Sequence, residues 1–559
     1  MPNLNAEAHF AESPLSVDIG RSTFDRSHNW KGTFNAGKLN CVFVDEILPG
    51  DDVAMRVSEL VRMTTPLVPP MDDCYLDLYS FFVPYRLVWS HWKEMNGENN
   101  SSAWIQPTTY TVPTIQAYGS YRTVGDLGHQ MGIPPITTIP VNVPTMTYSQ
   151  VHALELRSYR EIYNCWFRDQ NTQAPLLVNT GDTETDTSLF QLAPVNRVHD
   201  LFGSCLPGPQ KGAAVQIALS GFASVYPTVD STKNLNTNTS LNTWISSGGI
   251  LWKNASNSNI ASGAYIGTQS VQSNGNSGSA NGATMSAARP IPANLIVGDG
   301  HGMSLGIDVA ELRLAVQTQR ILEKLSIGGS RYVEFVRAMF GVISPDARQQ
   351  RPELLGHKRV HIRSNEVVQS APTESGLTPF GTVGAYSKTV NNDFAFTKSF
   401  TEHGTLFVLA CIRHNRSYSQ GIPKMFNRKT FGDFYLPSLA HLSEMPVYKW
   451  QIYADGNSVT DSDIFGWQEA WSELRFKPSI NTGLMDPAVT GTIGNIWTYG
   501  DVYNTAPTLS SSWMQEGDTE IYRTLAVQNQ DQFIGDFYFD YKHTRCMPVY
   551  SVPGLVDHF

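Results

Sequence analysis

Cys74 to Val83 reads CYLDLYSFFV, and this run decides the fold. In an extended chain successive side chains point to opposite faces, so Cys74, Leu76, Leu78 and Phe82 share one side while Tyr75, Tyr79, Phe81 and Val83 share the other. Both faces are apolar, which predicts a strand covered on both sides, bracketed by Pro69-Pro70 and Pro84. Leu39 to Glu46 behaves alike, with Leu39, Cys41 and Phe43 on one face and Val42 and Val44 on the other. It stops at the turn signal Leu48-Pro49-Gly50-Asp51. Thr405 to Ile412 is apolar almost throughout and predicts an interior strand. Phe533 to Lys542 sets Phe537, Phe539 and Tyr541 against Asp536, Asp540 and Lys542, which predicts a half-exposed one.

Strands this far apart, separated by Pro-rich loops instead of regular helices, argue for a mainly β, non-local antiparallel fold over a parallel sheet with crossover helices. A jelly roll fits that pattern. Three helices interrupt it. The first has a capping-box candidate at Thr147 and Gln150 and is expected to bury Leu154, Tyr159, Ile162, Tyr163 and Trp166. The second is capped by Asp308 with Glu311, carries the stripe Leu312, Ala315, Val316, Leu322 and Leu325, and stops at Gly328-Gly329. Tyr332 to Phe340 is a short third.

Charged residues make up only 16% of the 559, below the roughly 25% of ordinary soluble domains. A surface so poor in charge and rich in Tyr, Trp, Phe and Met suits large protein contacts, whose centres exclude charge. The net charge of -10 comes without any block of five or six like charges, so no nucleic-acid-coating tail is present. Met1 to Gly20 does not read as a secretion signal, and no run of 18 apolar residues exists, so a soluble protein without membrane insertion is expected. The six cysteines lie at least 33 residues apart, which leaves no zinc ribbon or redox pair and predicts buried free thiols.

From Ser231 to Ala280, 31 of 50 residues are Ser, Thr, Asn or Gly. Such a segment cannot bury enough surface to fold alone. It nevertheless carries Trp244, Ile250, Trp252 and Tyr265, which a flexible linker would not need, so contact with neighbouring copies of itself is expected there, the alternative being a disordered surface loop.

Motifs for chemistry are weak. Gly32 to Lys38 has the spacing of a phosphate-binding loop, but Leu39 stands where the magnesium-binding Ser or Thr would be. His357 and His361 are four apart in an extended context with Lys358 and Arg359 between them, which speaks against a helical metal pair. Gly298-Asp299-Gly300-His301-Gly302 reads as a hinge. Carboxylates are too dispersed to select an acid and base pair, and no catalytic residue, metal or cofactor is expected. Arg413, Arg416 and Tyr418, followed by Lys424, Arg428 and Lys429, mix cations with aromatics as single-stranded DNA contacts do, and as an ordinary solvated loop or subunit contact also would.

Six stretches, in order along the chain, resemble the gokushovirus branch of the microvirus major capsid proteins. They are RSTFDRSH (21–28), GKLNCVFVDEILPGDD (37–52), YLDLYSFFVPYRLVW (75–89), YREIYNCWFRDQN (159–171), FGWQEAWSELRFKPSINTGL (465–484) and MPVYSVPGLVDHF (547–559). The resemblance implies an eight-stranded antiparallel viral jelly roll with long inter-strand loops, interrupted by an insertion. Residues 1–204 and 301–559 would form the jelly roll, and residues 205–300 a surface protrusion at the threefold axes. It further implies a T=1 shell around circular single-stranded DNA in the virion, assembled in the bacterial host cytoplasm. Because the chain is acidic and DNA is a polyanion, a separate small basic packaging protein is implied as a partner, together with a host receptor. The competing reading is a soluble all-β glycan-binding or glycan-cleaving protein, suggested by the abundant Trp and Tyr.

Overall fold

The computed structural model describes residues 20–213 apart from 104–106, 117–122 and 136–149; the pieces 215, 225–227, 252–253, 264–267, 270–273, 291–292 and 295–297; 309–341 apart from 329–331; and 350–550 apart from 371–380, 490 and 492. The chain divides into two compact units, Met1–Lys211 with Glu323–Phe559, and Gly212–Leu322. Residues 205 and 206 belong to the first. Cys205 is buried beside Phe202, and Leu206 exchanges backbone hydrogen bonds of 2.7 and 2.8 Å with Trp467.

Nine strands build the first unit's framework: β1 Ser22–Asp25, β2 His28–Phe34, β3 Asn40–Ile47, β4 Asp52–Met63, β5 Cys74–Pro84, β6 Glu353–His361, β7 Thr389–Ser399, β8 Gly404–His414 and β9 Phe533–Arg545. They form two antiparallel sheets. In one, β9, β4 and β7 lie side by side, and β1 and β2 both pair with β9; in the other the order is β6-β5-β8-β3. Ser22 faces Arg545 and Phe34 faces Phe533, so β1 and β2 follow one another along a single edge of β9 and fill one strand position. The eight positions, numbered along the chain, then run 1-8-3-6 and 5-4-7-2. This is jelly-roll connectivity, in which every neighbour is antiparallel and most are distant in sequence.

The core lies between the sheets. Val53, Met55, Val57 and Val61 of β4 and Phe537, Phe539 and Tyr541 of β9 meet Leu76, Leu78 and Phe82 of β5 and Leu406, Val408 and Ala410 of β8. Gly535 is required by this packing, because a Cβ there would lie 2.7 Å from the rings of both Phe34 and Phe537. A second core covers the outer face of the four-stranded sheet. Cys41, Phe81, Val83, Phe407, Leu409 and Cys411 pack there against Trp89, Phe190 and the helix α1 (Leu154–Ile162). Tyr159 ties helix to sheet by donating to the Leu39 carbonyl at 2.6 Å and accepting the Ala193 N–H at 2.9 Å.

β5 and β9 follow their predicted alternation and β8 is interior as predicted, whereas β3 departs from its pattern. Cys41 faces the outer core, yet Val42 and Phe43 both face the inner one, because a bulge opposite Val408 and Leu409 shifts the register between Phe43 and Cys41. The first helix begins at Leu154 and not at the capping box; Gln150 lies in a short strand, Gln150–His152, and Thr147 lies outside the described residues. Trp166 is not buried by this helix. A π turn, Tyr163–Phe167, follows α1 and leaves the indole 38% exposed. The second and third helices, α2 (Val309–Gly328) and α3 (Tyr332–Phe340), have the predicted extents, but Leu312 and Val316 of the α2 stripe are exposed. Asp308 and the Gly298–Gly302 hinge lie outside the described residues. Cys41, Cys74, Cys205 and Cys411 are buried free thiols; Cys165 is partly buried, and Cys546 is exposed, against expectation.

Candidate assembly and nucleic-acid surfaces

Between β8 and β9 the chain makes a long excursion over residues 415–532, and most of the DNA-contact candidates lie on it. Its own small core gathers Tyr418, Val447, Ile452, Phe465, Trp513 and Met514 with Leu201 and Phe202. The charged candidates divide by what holds them.

Arg413 sits at the end of β8 and donates from Nε to Asp77 (2.9 Å) and from Nη2 to the Tyr79 hydroxyl (2.9 Å). Arg359 grips the same carboxylate with Nε at 2.7 Å and Nη2 at 3.0 Å. Burial works to raise the Asp77 pKa, but the two guanidiniums outweigh it and hold the group below the ordinary carboxylate range. Arg416 is buried between Asp501 and Glu516, reaching the latter with Nη2 at 3.1 Å. Arg197 donates to the other oxygen of Asp501 (3.2 Å), and the backbone N–H of His414 donates to Glu516 (3.1 Å). Against the effect of burial, Arg416 holds Glu516 well below the ordinary carboxylate range, and Arg416 with Arg197 lowers the pKa of Asp501. Tyr418 is buried too, and its hydroxyl donates to Asp200.

Arg416 and Tyr418 are therefore internal ties and leave the DNA-facing set. Each has a carboxylate partner inside the subunit, and each is more than nine-tenths buried. Lys424 and Arg428 share Glu473 at 3.6 and 3.1 Å and remain partly exposed, while Lys429 is exposed. His361 lies 3.0 Å from Asp73, and His357 stacks on Tyr79 at 4.4 Å. Gly32 lies within β2 and no helix follows Lys38, so the phosphate-loop spacing has no phosphate-loop structure.

The feature that sequence reading did not locate is an apolar surface. Phe426 is 71% and Phe431 81% exposed, and Phe434, Phe476, Ile480 and Leu484 are also uncovered. Ile422, Met425, Phe426, Leu474, Phe476 and Ile480 line a groove of about 350 Å³ that also holds three cations, Lys424, Arg428 and Lys477, the first two paired with Glu473. Soluble monomers rarely leave such patches bare. Their signal in the sequence is the run of aromatics from Phe426 to Tyr435, which has neither strand nor helix periodicity.

In the second unit, Trp252 lies in a two-residue strand paired with Ile291–Pro292, and Tyr265 in a hairpin strand opposite Gln272. Trp244 and Ile250 lie outside the described residues. Among the described residues no cluster of His, Cys, Asp and Glu could hold a metal ion, and no helix is long and apolar enough to cross a membrane.

A jelly roll whose long loops present uncovered aromatic surface defines a structural subunit made to be packed against other protein. A family model described as "Capsid protein (F protein)" matches residues 14–555, and the chain belongs to that family. It is 35% identical to the capsid protein VP1 of Bdellovibrio phage phiMH2K, over 98% of both chains. Identity is 34% to the capsid protein VP1 of Spiroplasma virus 4 (99% of each chain) and 34% to that of Chlamydia phage 1 (98% of this chain, 97% of the other). The chain is a structural capsid protein and not an enzyme.

Proposed function

We propose that copies of this chain close into a T=1 icosahedral shell around a circular single-stranded DNA genome. The observation that carries the reading is the exposed apolar surface on residues 422–484, which a lone subunit leaves in water. Stable interfaces bury roughly 1,600 Å², and covering this surface with a neighbour supplies an apolar centre for one. Lys424, Arg428 and Lys429, and Arg413 through its partly exposed guanidinium, are the remaining candidates for DNA contact. A small basic protein packaged with the genome offsets the charge of an acidic shell around DNA. The insertion, read as residues 205–300, forms surface protrusions in which Trp244, Ile250, Trp252 and Tyr265 contact neighbouring copies, and these protrusions attach to a receptor on the host cell.

Electron microscopy of the purified product tests the assembly, with uniform closed shells holding nuclease-resistant single-stranded DNA as the expected result. A monodisperse monomer that binds sugar would return the glycan-binding alternative. Replacing Asn234 to Ala283 by a short Gly-Ser linker should leave the jelly roll folded and shells able to form, but abolish infection.

A further inference from the structure

We infer that a cavity of about 350 Å³ beside the four-stranded sheet binds one nucleotide of a single-stranded nucleic acid, its base against aromatic rings and its phosphate on guanidiniums. This rests on the genome-enclosing reading and adds a specific site to it. The volume falls within the roughly 300–1,000 Å³ of small-ligand sites. Tyr79, Trp166, Phe167, Arg168, Arg197 and Arg413 form the part of the lining that matters.

The charge of the lining favours an anion. Arg413 shares the single carboxylate of Asp77 with Arg359, which leaves one positive charge over at that wall. Arg168 donates from Nη1 to the Gln173 carbonyl at 3.0 Å, and its Nε is buried without a hydrogen-bond partner. Arg197, 6% exposed, also has an Nε without a partner; its guanidinium lies 3.9 Å over the Trp513 ring, and it reaches Asp501 through Nη1 alone. Buried guanidinium N–H groups left unmatched are costly, and a phosphate oxygen is the acceptor their geometry suits. The acid among the lining residues, Asp169, is occupied by the backbone N–H groups of Asn171 and Thr172 and by the Thr172 hydroxyl.

The aromatic side is built by the π turn Tyr163–Phe167, a helix irregularity often found at functional sites. It brings Trp166, Phe167 and Arg168 to one cavity. Phe167 stands edge-on to Tyr79 at 5.0 Å, and the partly exposed indole of Trp166 is held by its Nε1 hydrogen bond to the Pro352 carbonyl at 2.9 Å. A base face with a phosphate nearby is what a single strand presents and a duplex hides.

The test is binding of a fluorescently labelled eight-residue oligothymidylate to subunits released from shells, followed by anisotropy across salt concentrations. Trp166→Leu should weaken binding about tenfold with little change in salt slope. Arg168→Gln should weaken it by a similar factor and lower the slope by about 0.7. A duplex of the same length should bind no better to wild type than to either variant. Wild-type affinity in both variants would overturn the site; if Trp166→Leu fails to fold, wild-type affinity in Arg168→Gln alone does so. Arg168→Gln lowering affinity for inorganic phosphate but not for the oligothymidylate would also overturn it, leaving only an anion site. Nuclease-protected DNA in wild-type shells is scored separately. Its absence counts against the genome-enclosing reading, whereas its presence with unaltered variants removes the pocket alone.

Discussion

The two sheets of the sandwich share a core but differ on their outer faces. The four-stranded sheet is covered twice, by the opposite sheet and by the α1 layer, and Phe407, Val408 and Leu409 of β8 are all fully buried. Among the described residues the five-stranded sheet is covered once: β9 alternates Phe533, Phe537 and Phe539 inward with Ile534 and Tyr538 outward, the latter 43% exposed. The difference shows that the doubly apolar strands hold the loop layer in place, while the alternating strands present a face to solvent or to other molecules.

The comparison breaks most severely at β8. Leu409→Asp buries a charge with no partner and should cost more than about 4 kcal/mol, so that no folded subunit is recovered. Tyr538→Asp, on the open face, should change the subunit's urea stability by no more than about 0.5 kcal/mol. Next in size is the buried ionic node behind the covered sheet. Glu516→Gln leaves Arg416 with one partner fewer and should cost roughly 3–5 kcal/mol in denaturant unfolding. Asp536→Asn, which loosens the exposed 3.9 Å pair with Lys31, should cost less than about 0.5 kcal/mol. Glu516 and Asp501 are held below their unfolded values of 4.5 and 3.8, so the stability they add is present above about pH 4.5 and is lost as pH falls. Glu516→Gln should flatten that acid limb.

The open sheet carries the opposite case. Glu59 of β4 points into the sandwich, and burial pushes its pKa up to about 7 despite the hydrogen bond from Asn391. A carboxyl whose folded value lies above its unfolded 4.5 loses stability as pH rises from 4.5 through 7. Glu59→Gln should therefore stabilise the subunit by roughly 1–3 kcal/mol at pH 8 and by almost nothing at pH 4, read from thermal or urea midpoints.

What was legible in the chain follows the same division. Period-two patterns in β5 and β9 carry their own faces, the continuous apolar run of β8 marks it as interior, and each matches the sheet that holds it. The β3 bulge was not legible, because the shift is set by Val408 and Leu409 more than 360 residues away. Arg413 and Arg416 looked like surface cations because their neighbours are basic and polar. Their carboxylates lie 336 residues away at Asp77, and 85 and 100 away at Asp501 and Glu516. Low charge and high aromatic content announced protein contacts, but only the folded loops placed the aromatics on one surface.

That surface gives the most direct test. In the double variant Phe426→Ser, Phe431→Ser, the subunit's denaturation midpoint should stay at the wild-type value, because both rings stand in solvent, while electron microscopy shows no closed shells. Shells at wild-type yield from that folded variant would contradict the account.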